Sequence, residues 1–293
     1  MATRHLLLMF FICIVWGGTF VAGKAGVGEF PPILFTALRY VLLAVLLAPF
    51  LKPVAGYMPQ IIIVSMTMGG LHFALFYGGM SVAENVSSIA VVAQLGVPFS
   101  TILSIVFLSE QVGWRRWLGI ALAFLGATII GFDPAMVHER LGLALVVLAV
   151  FIGAVGMVVM KRVSATDTGI YQIQAWIAWF SFPLLIAVSA ITESGQIEAI
   201  QNAGYMGWGG VVYTALGASL VGHAGMYYLL QRYDVSVTAP LTLLAPVFGV
   251  VFGVLIWGDV LNVRFWIGGS MTLLGVLIIG LRKREHPPAG AVL

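Results

Sequence analysis

The chain has 293 residues, of which 61% are hydrophobic and only 9% charged, with a mean hydropathy of +1.06. About a quarter of a soluble domain is charged, and no water-soluble core of this length could hide so much apolar surface, so the bilayer must be the solvent for most of it. A net charge of +3 from dispersed Lys and Arg leaves no footprint for nucleic acid, and a single cysteine, Cys13, excludes an intramolecular disulfide and argues against a thiol-ligated metal.

Apolar runs of about 20 residues, the length that crosses a hydrocarbon core, are bounded by charge, Pro or Gly. They predict ten spans: 5–24, 32–51, 58–80, 86–108, 114–132, 140–162, 170–192, 205–230, 236–257 and 264–282. Leu6 to Gly23 could pass for a signal peptide. It lacks a small-x-small cleavage site and leads straight into further spans, so it reads as span 1. The tail from Lys283 to Leu293 carries Pro287-Pro288 and reads as a short disordered end.

Lys and Arg set the expected orientation. With a cytoplasmic N-terminus, ten fall inside: Arg4, Lys52, Arg115, Arg116, Lys161, Arg162, Arg232, Arg282, Lys283 and Arg284. Three fall outside: Lys24, Arg140 and Arg264. That bias places both termini in the cytoplasm.

One stretch occurs twice. Ala83 to Gly131 matches Arg232 to Gly280 at a fixed offset of 149 residues. Val86-Ser87 meets Val235-Ser236, Glu110 meets Asp259, and Arg115-x-Trp117-x-Gly119 meets Arg264-x-Trp266-x-Gly268. The offset moves the pattern five spans along, an odd number, so each copy enters the membrane from the opposite side. The expected fold is an all-α integral membrane protein of ten transmembrane helices in two inverted five-helix repeats, residues 1–133 and 134–282, with a tail over 283–293. Inverted repeats mark secondary transporters, with the substrate site near the midplane between the halves. A structural bundle or a channel is the alternative.

Trp16-Gly17-Gly18-Thr19-Phe20, Leu38-Arg39-Tyr40, Glu110 followed by Trp117-Leu118-Gly119 and Leu125-Gly126, and Pro246 through Asp259 to Trp266-Ile267-Gly268 carry a resemblance over nearly the whole chain. The sequence resembles the EamA-type family of the drug/metabolite transporter superfamily, and within it the YddG-type amino-acid exporters. The resemblance implies a basket of spans 1, 3, 4, 6, 8 and 9 around a central cavity, with spans 5 and 10 as outer supports.

Polar groups inside a bilayer are expensive and usually functional. His72 in span 3 shares a face with Phe76, and Phe73 and Tyr77 occupy the adjacent stripe. Span 8, its inverted partner, carries Tyr213, Ser219, His223 and Tyr227. Each imidazole either lines a cavity or bonds a neighbouring carbonyl and glues helices. Gln94 precedes Pro98 in span 4, and Thr238, Pro240, Thr242 and Pro246 stand at matching depths in span 9. These prolines bend helices and free carbonyls, which makes them candidate hinges, with a purely structural kink as the alternative. Arg39 lies about 12 Å inside span 2 and is expected to form a structural or gating ion pair with Glu29 or Glu84. Phe76, Tyr77, Gln94, Tyr213, Tyr227 and Trp16 are further candidates for the substrate wall, and the Gln94 amide could accept an ammonium or donate to a carboxylate. Lys24 and Lys161 read as interfacial anchors, and Lys161 could also meet a substrate carboxylate at the inner mouth. Trp176 and Trp179 read as packing or lipid-facing. Gly17, Gly18, Gly153, Gly156, Gly249 and Gly253 read as close-packing positions.

The absences narrow the cargo. No Asp or Glu sits mid-span, so no carboxylate proton relay is evident. Facilitated movement is favoured, and His72 or His223 would carry protons if they are coupled. Cavity cations are too few for a phosphate-rich cargo. There is no P-loop for ATP, and no H-E-x-x-H or nucleophile elbow for an intramembrane enzyme. No cofactor or metal is implied. What is left is a small neutral or zwitterionic solute. The resemblance selects amino acids among such solutes, exported across the inner membrane by alternating access, with broad specificity that includes aromatic ones. A drug, nucleobase or other metabolite exporter is the rival within transport, and a channel or receptor the rival outside it. The oligomeric state stays open, a monomer included.

Overall fold

The protein is described by a computed structural model. It covers residues 2–108, 113–131, 139–163, 168–230 and 239–280, the side chains at 108, 131, 161–163, 227, 230, 239, 240 and 280 excepted. The described residues are helical throughout, with no strand among them. Helices α1 (Thr3–Glu29) and α2 (Pro32–Leu47) are followed by α3 (Met58–Val82) and α4 (Val86–Phe107). Then come α5 (Trp114–Gly131), α6 (Arg140–Val163) and α7 (Ile170–Thr192). A two-turn helix, Gln196–Asn202, leads into α8 (205–230), α9 (Leu241–Trp257) and α10 (Val263–Gly280). Among the described residues, six helices are long and apolar enough to cross a membrane: α1 to α4, α6 and α7. The expected spans 5–24, 32–51, 58–80, 86–108, 140–162 and 170–192 fall on these six, with α1 a turn longer than its hydropathy suggests. It continues through Lys24 to Glu29 and stops where Phe30, extended at φ −117° and ψ 144°, precedes Pro31. A residue before proline is pushed out of the α region.

Several helices depart from the regular ladder. Wide π turns occupy Ser65–Leu71 in α3 and Tyr213–Gly222 in α8, and each ends at a histidine, His72 or His223. Tight 3₁₀ turns occupy Ala93–Leu95 in α4 and Ala239–Leu243 at the start of α9, just ahead of Pro98 and Pro246. A proline removes one hydrogen bond to the preceding turn and clashes with its carbonyl, which accounts for both tight turns. A third π turn, Gly253–Trp257, ends at Gly258, whose φ of +71° only glycine adopts without strain.

Lipid offers no hydrophobic drive between helices, so close backbone approach has to supply their packing. Helices α5 and α10 show it most clearly. A Cβ on Gly119 would lie 2.7 Å from Gly275 O, and one on Gly268 would lie 2.5 Å from Gly126 O. Thr272 Oγ1 reaches Ala123 O at 3.4 Å. Each of these contacts joins one copy of the repeated stretch to the other. Gly119 faces the counterpart of Gly126, Gly126 faces the counterpart of Gly119, and Ala123 faces its own. Trp117, Leu118 and Leu125 are exposed, as are their counterparts Trp266, Ile267 and Leu274.

One face of the molecule, the upper face, holds the α1–α2 turn and is tied together across helices. Glu193 accepts from the amides of Ile33 at 2.8 Å and Leu34 at 3.0 Å. Glu29 accepts from Gly204 N, Asp259 accepts from Ser87 N at 2.6 Å, and Glu139 accepts from the backbone and side-chain amides of Asn85. Each carboxylate thus meets the orphan N–H groups at the start of another helix, where the dipole favours negative charge. Lys24 does the converse. It is not an interfacial anchor: its Nζ turns inward to Met80 O at 3.0 Å and to Ala83 O, closing the C-terminal end of α3.

Candidate functional site

A cavity of about 390 Å³ lies among α2, α3, α4, α6, α7 and α8. It runs from mid-depth toward the end of α6 and the start of α7, away from the upper face. Its size suits a small-molecule site. The implied basket included spans 1 and 9; α2 and α7 take their place in this wall. The reason is that α1 is sealed onto α8 and α9 by its glycines. A Cβ on Gly17 would lie 3.0 Å from Ala245 O, and the Tyr213 phenol fills the space beside Gly18.

The polar side of the cavity centres on Ser219, in the π turn of α8. The backbone N–H of His223 bonds Leu220 O. In a regular α-helix it would take Ser219 O instead. Side chains use that carbonyl: Gln174 Nε2 donates to it at 3.3 Å and His223 Nδ1 lies 3.3 Å away. The Ser219 hydroxyl accepts from Arg39 Nη2 at 2.8 Å and donates to Thr214 O at 3.3 Å. Arg39 is only 2% exposed, and its guanidinium lies 4.0 Å from the centre of the Phe73 ring, a cation–π contact. Its Nε and Nη1 make no hydrogen bond of ordinary geometry, and the buried Tyr77 hydroxyl, itself without one, lies close to the guanidinium. The expected ion pair with Glu29 or Glu84 is absent. Glu29 is spent on Gly204 at the far end of the lengthened α1, and Glu84 is exposed, whereas Arg39 turns toward α3 and α8.

His72 and His223 both line this cavity, and each rests Nδ1 on a carbonyl, His72 on Ala149 O at 2.7 Å. Lining the cavity and gluing helices, posed as alternatives, coexist here. With Nδ1 donating, a neutral ring leaves Nε2 as its lone-pair nitrogen. Gly153 makes the His72 arrangement possible, because a Cβ there would meet His72 Nδ1 at 2.8 Å. The remaining wall is apolar, formed largely by Tyr40, Met68, Phe73, Met157 and Met160.

Other expected wall residues lie elsewhere. Tyr77 is fully buried and Phe76 is buried beside it, both in the core with Phe35, Met80 and Val146. Trp16 Nε1 donates to Ala218 O at 3.3 Å and the Tyr213 hydroxyl to Val15 O at 3.0 Å, which lashes α1 to α8. Gln94 is not part of the wall, although Ala93 and Gly96 of the same turn are. Pro98 and Pro246 are buried beside their 3₁₀ turns. The side chains of Lys161, Tyr227 and Pro240, and Glu110 as a whole, lie outside the described residues. Gln174 escaped notice in the sequence: it is one amide in an aromatic-rich span, and only its contact with Ser219 singles it out.

A family model described as the EamA-like transporter family matches residues 3–132 and again 140–281. The chain belongs to this family. It is 24% identical to a probable amino-acid metabolite efflux pump of Escherichia coli K12, over 99% of this chain and 100% of that one. It is 26% identical to a probable terminal-alkyne amino-acid exporter of Streptantibioticus cattleyicolor, over 94% and 95%. An uncharacterized inner membrane transporter of Escherichia coli K12, YedA, shares 22% over 95% and 91%. A crystal structure of another protein superposes with a TM-score of 0.64 over 95% of this chain and 96% of that one, at 15% identity, a likeness of fold. As an EamA-like transporter, this multi-pass membrane protein has a cavity suited to one chemical task. It presents a buried cation and a few hydrogen-bonding groups in an otherwise apolar wall.

Proposed function

We propose that this protein is a secondary transporter that exports amino acids across the inner membrane by alternating access. The observation that carries the reading is Arg39, a buried guanidinium with two unpartnered nitrogens in the wall of an otherwise apolar cavity. Leaving a buried charged donor unsatisfied costs about 1–3 kcal/mol or more, so such a group is kept for a partner that comes and goes. A carboxylate is the partner whose geometry fits a guanidinium best. The Met and aromatic wall suits apolar and aromatic side chains of varied shape, because methionine repacks easily. The names of the relatives point the same way.

The architecture of this reading is ten spans in two inverted halves, 1–133 and 134–282, with cytoplasmic termini. The exchanged glycine contacts between α5 and α10 and the two matches of one family model support it. The excess of Lys and Arg that the sequence count assigns to the inner side makes the end away from the upper face cytoplasmic in this reading, so the cavity is the cytoplasm-side chamber and the upper face the closed outer side. Pro98, Pro240 and Pro246 are the hinges on which the halves rock, and Lys161 attracts carboxylates to the inner mouth.

Counterflow of radiolabelled phenylalanine in proteoliposomes tests the reading. Saturable uptake is expected, displaced by unlabelled leucine and methionine and lowered at least tenfold by Arg39→Gln, the scale of a charge-assisted hydrogen bond of about 1.5–3 kcal/mol. Linear, voltage-steered flux would identify a channel. Uptake displaced by nucleobases or drugs but not by amino acids would move the protein to the rival exporter class.

A further inference from the structure

A bound carboxylate leaves other idle polar groups of the cavity unaccounted for. Gln174 Oε1 is also buried without a hydrogen-bond partner, and Gln174 lines the same cavity as Arg39. The amide orientation is set by its neighbour: Ser219 O can only accept, so Nε2 must face it and Oε1 must be the free atom. Arg39 and Gln174 are held on one residue, Arg39 by the hydroxyl of Ser219 and Gln174 by its carbonyl. The two side chains are therefore anchored side by side on one residue, as the carboxylate and ammonium of an α-amino acid are on one carbon.

We infer that Arg39, Gln174 and Ser219 form a headgroup subsite for a free α-amino acid, with the carboxylate on the Arg39 guanidinium and the ammonium on Gln174 Oε1. Gln174 is then a specificity-determining residue, and the inference rests on the amino-acid reading above. Among the described wall residues there is no carboxylate to take the ammonium. A neutral amide does so without forming a permanent ion pair with Arg39, which would occupy the guanidinium and shut out the substrate. Ser219 is the frame: its π turn presents a carbonyl that the helix ladder does not take from His223, and its hydroxyl holds one edge of the guanidinium. The side chain of the bound amino acid then extends along Met68, Met157 and Met160 toward the mouth.

The test uses two probes that differ by the amino group alone, radiolabelled L-leucine and 4-methylpentanoate, with wild type and Gln174→Met in the same proteoliposomes. Methionine approximates the length and volume of glutamine but accepts no comparable hydrogen bond. Wild type is expected to prefer leucine by about tenfold, the scale of one hydrogen bond to a charged group. Gln174→Met is expected to raise the apparent KM for leucine by that factor and leave 4-methylpentanoate unchanged, while Arg39→Gln weakens both. Retained 4-methylpentanoate uptake also shows that the variant is folded. Should Gln174→Met not yield folded protein, Gln174→Asn, whose amide is withdrawn by one methylene, is expected to weaken leucine selectively. A wild type that moves 4-methylpentanoate as well as leucine overturns the inference without any variant, as does a folded Gln174 variant that changes both probes equally or neither. A wild type that moves neither probe, nor phenylalanine, overturns the amino-acid reading itself.

Discussion

At the scale of single residues, Arg39 separates function from stability. A buried ion pair broken at one partner destabilises a protein, but replacing a whole buried ion pair by well-packed apolar residues is often neutral or stabilising by about 1–4 kcal/mol, and a buried charge without a charged partner has less still to lose. Arg39 belongs to the second case, since two of its three nitrogens are idle and its ring contact with Phe73 is one that methionine can also make. Arg39→Met is therefore expected to abolish phenylalanine counterflow while raising the Tm of the detergent-solubilised protein by a few degrees. A fall in Tm of similar size would mean that the guanidinium is structural and would remove the main support for a carboxylate site. The position of Arg39 was legible in the sequence, because an arginine inside an apolar run is conspicuous. Its partner was not, because hydropathy gives depth but not rotation. Depth alone put Glu29 within reach, whereas the face of α2 that meets α3 and α8 turns Arg39 to Ser219.

At the scale of helices, the duplicated stretch makes a symmetric prediction. A Cβ on Gly126 would strike Gly268 O and lie 2.6 Å from Thr272 N, and one on its counterpart Gly275 would lie 2.5 Å from Ala123 N and from Gly119 O. Overpacking costs typically about 1–3 kcal/mol. Gly126→Val and Gly275→Val are thus both expected to lower Tm by similar amounts and to leave the KM for phenylalanine unchanged, since α5 and α10 stand outside the cavity. A silent twin would sink the two-fold arrangement. This contact could be anticipated because matched glycines survive as a pattern along the chain. The π turns of α3 and α8 could not. Ser65–Leu71 and Tyr213–Gly222 are apolar, glycine-containing runs with no proline to announce a break, and the wide turn shows only once neighbouring helices are packed. Without it, Ser219 is one more small residue in a span and Gln174 has nothing to be read against. For the same reason Trp16, Phe76, Tyr77 and Tyr213 looked like cavity residues: periodicity shows which residues share a stripe, not whether the stripe meets a void or a helix.

Across the whole molecule, the upper face has to open if alternating access is to proceed, and its fastenings are carboxylates on helix N-termini. Glu139 is one of them. It is buried, its Oε2 has no partner, and burial raises its pKa above the ordinary carboxylate value, opposed by the Asn85 amides and reinforced by Glu84 and Asp259. Lys24 on α1 is the cation that feels this cluster. The sign follows from linkage. A carboxyl whose folded pKa is raised contributes stability that is complete below its unfolded pKa of about 4.3 and is lost as pH rises through the folded value. Wild type should therefore lose Tm relative to Glu139→Gln as pH is raised from about 4 to 8, and a flat difference would show that Glu139 is not perturbed. The same linkage acts on gating. A state in which the upper face opens hydrates Glu139 and brings its pKa back toward normal, so low pH on that side favours closure and high pH favours opening. Counterflow by wild type should accelerate as the pH outside the upper face rises, and that by Glu139→Gln should not. On the proposed reading, Arg39 and Gln174 select what enters the chamber, and Glu139 tunes how readily the far side lets it leave. The two groups lie on different helices, Arg39 and Gln174 on α2 and α7 and Glu139 just ahead of α6, so variants of one should leave the pH or substrate profile of the other intact.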